Sequence, residues 1–179
     1  MNKQFGGAIV DLGNIIVDHI AYGTEKKPIK DVDYSSIPEV EGCFDGLKRL
    51  NLLFGGNVSI IYNAKDFSDK QIIGWLTQHK LIERTGITIE RVFRNRIRPG
   101  NSRDKTGFLD QSSETHFGVT VVVDDRLEVI NHFIQKGVRH PFLFRPQPDE
   151  IEKFRCTGTL SKTHIVETWK ELLESLKNI

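Results

Sequence analysis

At 179 residues the chain is long enough for one domain with a sizeable core, and 38% hydrophobic with 27% charged residues is the balance of a globular protein in water. A formal net charge of +1 argues against general binding to nucleic acid or membranes, no apolar stretch is long enough to span a bilayer, and Met1 to Gly7 lack the apolar core of a signal peptide. Cys43 and Cys156 are the only cysteines and stand in no metal-ligand spacing, which fits two reduced thiols in a cytoplasmic protein.

In chain order, Ala8 to Leu12 is a short apolar run of strand character that stops around Asp11, and Gly13-Asn14 marks a turn. Ile15 to Ile20 is apolar enough to continue beyond it. Residues 21–36 turn polar and are expected as an exposed loop or hairpin, a flap over the end of the sheet. A helix is predicted from about Cys43 to Phe54, burying Phe44, Leu47 and Leu50 and stopped by Gly55-Gly56. Val58 to Tyr62 is a second strand ending at Asn63-Ala64-Lys65, and Phe67-Ser68 opens a helix to about His79 with Ile72, Trp75 and Leu76 as apolar members. Leu81 to Gly86 is a short helix or turn, Ile87 to Phe93 a weak third strand, and Arg103-Asp104-Lys105 starts a helix to about Ser113. Val119 to Val123 is the strongest strand signal and runs into Asp124-Asp125. Helix (Leu127 to Gln135), strand (Pro141 to Phe144) and short helix (Pro148 to Phe154) follow, and Ile165, Trp169, Leu172, Leu173 and Leu176 form the stripe of a final helix. Alternating strands and helices, with no repeat or linker, predict one α/β domain over 1–179: a Rossmann-like, mostly parallel central sheet with helices on both faces.

An Asp at the end of a buried strand is costly unless something uses it, although Asp11 taken alone serves equally as a turn cap. The rest of the chain shifts that balance. Two apolar strands far apart in sequence end on acid, Asp11 and Asp124-Asp125; a third ends on the amide Asn63, and Lys105 precedes the acidic pair. Side by side in a parallel sheet, these sites converge at one edge. Clustered carboxylates repel one another and are tolerated when they hold a hard divalent cation, and Mg2+ takes oxygen ligands. One carboxylate is then placed to attack phosphorus while metal and lysine offset charge on the phosphoryl oxygens.

This arrangement resembles the haloacid dehalogenase (HAD) superfamily of phosphohydrolases, over nearly the whole chain from Ala8 to about Trp169. The family's first motif is an apolar strand followed by Asp, any residue, Asp, then Gly or Asn; here it is Val10-Asp11-Leu12-Gly13-Asn14. The resemblance implies that Asp11 is the nucleophile that becomes a phosphoaspartate and also ligates Mg2+. It implies that Asn63 stands where a Ser or Thr hydrogen-bonds the phosphoryl group, that Lys105 is the third-motif cation, and that Asp124 and Asp125 hold the metal directly or through water. The backbone carbonyl of Gly13 is the further metal contact, and Gly13, Asn14, Ala64 and Arg103 are the substrate-facing positions. Several stretches, among them Gly42 to Leu50, Arg84 to Ile87 and Val123 to Ile130, resemble a nearly capless bacterial branch of the superfamily, with 21–36 as the minimal cap.

The departures are two. The second Asp of the first motif, the family's general acid and base, is Gly13, and losing such a group typically costs ~10²–10⁴-fold in rate. Some helical-cap relatives also have Asp-Leu-Gly-Asn, and Asp18 or His19 is a substitute if the loop folds back; the plainer expectation is that both are ordinary loop residues. Asn63 for Ser or Thr keeps a hydrogen-bond donor. The function expected is a cytoplasmic Mg2+-dependent hydrolase of phosphate monoesters, small or macromolecular, acting through Asp11 and impaired by Gly13. The alternative is a catalytically weak or inactive HAD domain that binds a phosphoryl ligand, a nucleic-acid end or a partner. Arg91, Arg94, Arg96, Arg98, Arg103 and Lys105 crowd one stretch, either a solvated loop or a contact for nucleic-acid phosphates. The six histidines form no metal spacing and are expected to be structural or at the surface, and Trp75 and Trp169 to be core.

Overall fold

The computed structural model describes residues 6–23, 32–63, 66–95, 105–106, 118–154 and 158–178. Six strands are described: β1 (Gly7–Asp11), β2 (Val58–Asn63), β3 (Val92–Asn95), β4 (Val119–Asp124), β5 (His140–Phe144) and β6 (His164–Val166). They form one sheet in the order β3-β2-β1-β4-β5-β6, and every pairing is parallel. The helices are α1 (His19–Tyr22), α2 (Cys43–Leu53), α3 (Asp66–Gln78), α4 (Leu81–Thr85), α5 (Leu127–Gln135), α6 (Pro148–Phe154) and α7 (Trp169–Leu176).

The central strands are apolar on both sides because each pleat face packs under helices. Ala8 and Val10 of β1, Ile60 of β2 and Val121 and Val123 of β4 join a core with Phe44, Leu47 and Leu50 of α2, Trp75 and Leu76 of α3, and Trp169 and Leu172 of α7. The alternate residues Ile9, Ile61 and Val122 face the other way, onto Leu127, Ile130 and Phe133 of α5. The chain steps outward from β1 to β2 and β3, then returns to lay β4 on the other side of β1. The crevice at the carboxyl ends of β1 and β4 is therefore a topological switch point, where open α/β sheets bind ligands.

Among the described residues the predicted elements stand with three corrections. The 21–36 segment, expected as an exposed loop or hairpin, holds the end of α1 and a 3-10 turn at Tyr34–Ser36, and its Val32 is buried. Residues 87–93 are not all strand: Ile89–Arg91 forms a 3-10 turn and β3 starts at Val92. Ile165 is not part of the last helix; it lies in the edge strand β6 and is 48% exposed, while Trp169, Leu172 and Leu176 carry the buried face of α7. The expected helix over 103–113, with its cap Ser102, lies outside the described residues apart from Lys105 and Thr106, as does Cys156. Of the flap, residues 24–31 are outside them too. Its base is described: Asp18 N donates to Pro38 O and Val40 N to Ile16 O (both 2.8 Å), an antiparallel stem around the Val17–Glu39 bridge.

Trp75 and Trp169 are core residues, and each indole N–H donates to a backbone carbonyl, Ile37 O and Ile15 O respectively (both 2.8 Å). Cys43 is fully buried, and burial pushes its thiol up to about 12, an inert side chain. Gly46 of α2 lies against the Trp169 ring: a Cβ there would come within 2.2 Å of Cε3 and 2.6 Å of Cδ2. Gly46→Ala gains at most about 1 kcal/mol of helix propensity but overpacks a rigid ring, which costs about 1–3 kcal/mol. Net destabilisation is expected in urea unfolding; a raised midpoint would show that α7 moves aside freely.

Candidate functional site

β1 ends on Asp11, and the chain reverses at once. Ile16 N and Val17 N both donate to Leu12 O at 3.0 Å, and Asn14 N donates to Val17 O at 2.8 Å. Asn14 takes the left-handed conformation this reversal needs (φ 58°), which Asn tolerates better than most residues. The reversal aims the Asn14 side chain across to β4, where Nδ2 donates to Asp125 Oδ2 at 2.7 Å.

Asp11, Asp124 and Asp125 are all buried, and one oxygen of each lies within 4.8 Å of the others. At that spacing two full charges repel by roughly 3–4 kcal/mol even at an effective dielectric constant near 20. One cation offsets this. Lys105 is 3% exposed, and its Nζ lies 2.7 Å from both Asp11 Oδ1 and Asp124 Oδ2. Burial opposes the charge on Lys105, but these two carboxylates outweigh it and hold the lysine pKa above its ordinary value. Burial pushes Asp124 well above the carboxylate range against the pull of Lys105, with Asp11 and Asp125 adding to the rise. Burial and then the Asp11 charge push Asp125 up to about 6. Asp124 Oδ1 accepts from Arg126 N at 3.0 Å, which fixes its carboxylate plane.

Three carboxylates against one ammonium leave an excess of negative charge in a buried, all-oxygen donor set. Asn14 Oδ1 adds a buried acceptor without a hydrogen-bond partner among the described residues. This fits a hard divalent cation. A consequence concerns stability. The raised pKa values mean that the folded chain holds protons an unfolded chain has released, from about pH 4 upward through about 6 for Asp125 and beyond for Asp124. This contribution therefore falls as pH rises, and a cation competes with those protons. At a fixed Mg2+ concentration, the increase in melting temperature is expected to be larger near pH 8 than near pH 5. Equal increments would place the cation elsewhere.

A cavity of about 310 Å³ opens over the cluster, lined among others by Asp11, Gly13, His19, Tyr34, Tyr62 and Asn63. Asn63, the last residue of β2, is exposed there; its Oδ1 accepts from Asn95 Nδ2 at 2.8 Å, which leaves its own amide hydrogens to donate. Ala64 and Arg103 lie outside the described residues. Asn14, expected to face substrate, spends its amide on Asp125 instead. Of the arginine run, Lys105 belongs to the buried cluster and Arg91 Nη1 donates to Asn57 Oδ1 at 3.0 Å, at the start of β2. Asp18 is neither a loop-surface residue nor part of the cavity: it caps α1 through Ala21 N (2.9 Å) and accepts from Arg145 Nη1 (3.0 Å).

Tyr34, Tyr62 and Arg126 also line the cavity and were not singled out as site residues by the sequence; His19, which the sequence offered beside Asp18, lines it with them. The signal for His19 was the polar Asp18-His19 pair closing an apolar run just after a Gly-Asn turn. Arg126 follows the acidic pair directly, and its Nη1 donates to the buried Glu150 at 3.0 Å.

No protein-family model and no curated protein sequence matches the chain. Among solved structures it is similar to a protein from Burkholderia xenovorans LB400 classed as a haloacid dehalogenase-like hydrolase, with a TM-score of 0.60 and 16% identity over 93% of this chain and 94% of that one. It is also similar to the class C acid phosphatase from Bacillus anthracis, with a TM-score of 0.54 and 16% identity over 92% of this chain and 67% of that one. No helix among the described residues is long and apolar enough to cross a membrane. With six parallel strands among its described residues and an acidic switch point, the chain has the fold of the haloacid dehalogenase-like hydrolases.

Proposed function

We propose that this chain is a cytoplasmic, Mg2+-dependent hydrolase of phosphate monoesters that uses Asp11 as its nucleophile. The observation that carries the reading is the buried convergence of Asp11, Asp124, Asp125 and Lys105 at the switch point. Asp11, Asp124 and Asp125 would hold the cation, with the Gly13 carbonyl as a further donor. When bound, it offsets charge on the phosphoryl oxygens.

The chain's own groups supply the rest. Lys105 takes up one oxygen of Asp11, Oδ1, and so leaves Oδ2 as the attacking atom. Its charge also stabilises the phosphoryl group as it transfers. Asn63 donates to a phosphoryl oxygen from the end of β2. Attack by Asp11 breaks the ester P–O bond and forms an aspartyl phosphate; water then attacks phosphorus and restores the carboxylate. A flap as short as the 21–36 segment would suit large phosphorylated substrates as well as small ones.

Gly13 favours a second reading, a domain that binds a phosphoryl ligand, a nucleic-acid end or a partner with little turnover. A panel of phosphate monoesters with Mg2+, comparing the wild type with Asp11→Asn, separates the two. Phosphate release that disappears in Asp11→Asn supports hydrolysis; its absence on every substrate supports binding alone. Salt-sensitive binding to DNA or RNA ends, weakened by Arg94→Ala with Arg96→Ala, is the signature of the nucleic-acid version.

A further inference from the structure

We infer that Arg126 reads a second anionic group on the substrate, so that the site selects phosphate monoesters carrying a further carboxylate or phosphate close to the ester. The inference rests on the phosphohydrolase reading above and names its substrate class. In the sheet order β2-β1-β4, the end of β2 and the residues after β4 flank Asp11 on opposite sides. Asn63 therefore stands on one side of the nucleophile, and Asp125 and Arg126 on the other. All of them line the same cavity of about 310 Å³. An ester whose phosphoryl group meets Asp11 shares that space with the Arg126 side chain.

Lys105 and Arg126, both on the cavity lining, are held in different ways. The Lys105 ammonium is buried 2.7 Å from oxygens of both Asp11 and Asp124, so it serves the reacting end. The Arg126 side chain is 37% exposed, while the Glu150 side chain paired with it is 4% exposed. Nη1 donates to Glu150 Oε1 at 3.0 Å, and the Arg126 backbone N donates to Asp124 Oδ1 at 3.0 Å. The backbone is thereby tied to the acidic cluster and the guanidinium to α6. A guanidinium carries five N–H donors in a rigid fork. Among the described residues, the bond to Glu150 takes one of them. Because the carboxylate is buried and the guanidinium is not, the pair is approached from the guanidinium side. Its charge also reaches the cluster: burial and Asp11 push the Asp125 carboxyl up, and Arg126 is among the groups that pull it back.

Glu150 is an expensive way to hold an arginine unless the arginine has a use. Its Oε2 is buried with no hydrogen-bond partner among the described residues. A buried carboxylate with one oxygen unsatisfied is unfavourable, and an apolar side chain would avoid that cost. What Glu150 supplies is a guanidinium fixed at the cavity wall before substrate arrives, so less ordering is lost on binding. Carboxylates and phosphates are the groups such a fork takes. In the reading above, the reacting phosphoryl group already has Lys105 and Asn63. The anion left for Arg126 is a second one.

The test uses three esters on one skeleton. α-Glycerol phosphate has one anionic group. The matching phosphoglycerate has a carboxylate in place of the free hydroxymethyl, and the symmetric glycerol bisphosphate carries a second phosphate there. kcat and KM for each, with Mg2+, are compared between the wild type, Arg126→Ala and the double variant Arg126→Gln with Glu150→Gln. The double variant leaves no bare carboxylate buried, and it decides the matter if the single variant folds poorly. The wild type is expected to prefer at least one of the esters with a second anion. The ratio of its kcat/KM to that of α-glycerol phosphate is expected to fall roughly 10–100-fold in both variants. The fall comes through KM, because a contact to a non-reacting group is made equally before and during the reaction. The ester with the larger loss identifies the anion as carboxylate or phosphate. A wild type that treats all three alike, equal losses on all three, or losses confined to kcat would overturn the inference. Calorimetric binding of the same esters to Asp11→Asn with Mg2+ reads the preference without turnover. A binding preference with no Asp11-dependent phosphate release strikes the phosphohydrolase reading alone. Asp11-dependent release with no preference in either assay strikes this inference alone.

Discussion

Asp11→Asn is expected to abolish phosphate release, by at least ~10⁴-fold, while leaving the protein at least as stable as the wild type without metal. The two effects part company for a physical reason. The amide cannot act as the attacking oxyanion, so no aspartyl phosphate forms. The same change removes one of three clustered negative charges and keeps an oxygen for Lys105 Nζ, which lies 2.7 Å from Asp11 Oδ1. Steady-state phosphate release and thermal unfolding in chelator check both halves. Loss of activity together with loss of fold would mean that Asp11 is structural, and full activity would remove it from the chemistry.

Lys105→Met is expected to have the largest effect on stability of any single change at the site. The lysine is buried against Asp11 and Asp124, and its removal takes away the ammonium that lies 2.7 Å from an oxygen of each. Breaking a buried pair in this way typically costs about 3–5 kcal/mol, a large share of the roughly 5–15 kcal/mol that holds a domain folded. Two outcomes follow from the charge argument alone. Mg2+ is expected to recover more stability in Lys105→Met than in the wild type, because the cation then supplies the missing positive charge. Adding Asp124→Asn to the methionine variant is expected to recover part of the loss, so that the two substitutions are not additive. Urea unfolding with and without Mg2+ measures both. Additive losses would show that Lys105 acts through packing rather than charge.

Much of the architecture was legible because it rests on local patterns. Val119 to Val123 and Ala8 to Leu12 are β-branched, continuous and bounded by acid, and buried parallel strands require that kind of run. Once both were strands, the acids had to meet at one edge, and Asp11, Asp124, Asp125 and Lys105 do. The failures came where tertiary contacts decide. Ile165 keeps helical spacing with Trp169, yet it pairs with Leu143 in the edge strand β6, where Val166 is the buried residue. The 87–91 stretch alternates like a strand but tightens into a turn before β3. Asp18 and His19 were adjacent candidates that sequence could not tell apart. Asp18 is committed to Arg145, 127 residues away, while the Leu12–Val17 reversal leaves His19 on the cavity. Neither partner can be read from residues near position 18.

The most direct measurement of the central claim is to mix the protein with a phosphate monoester and Mg2+, quench in acid, and map the phosphoryl group by peptide mass spectrometry. The account predicts a phosphoryl group on the peptide carrying Asp11, present in the wild type and absent from Asp11→Asn along with phosphate release. A phosphoryl group on another residue, or release that continues in Asp11→Asn, would contradict it.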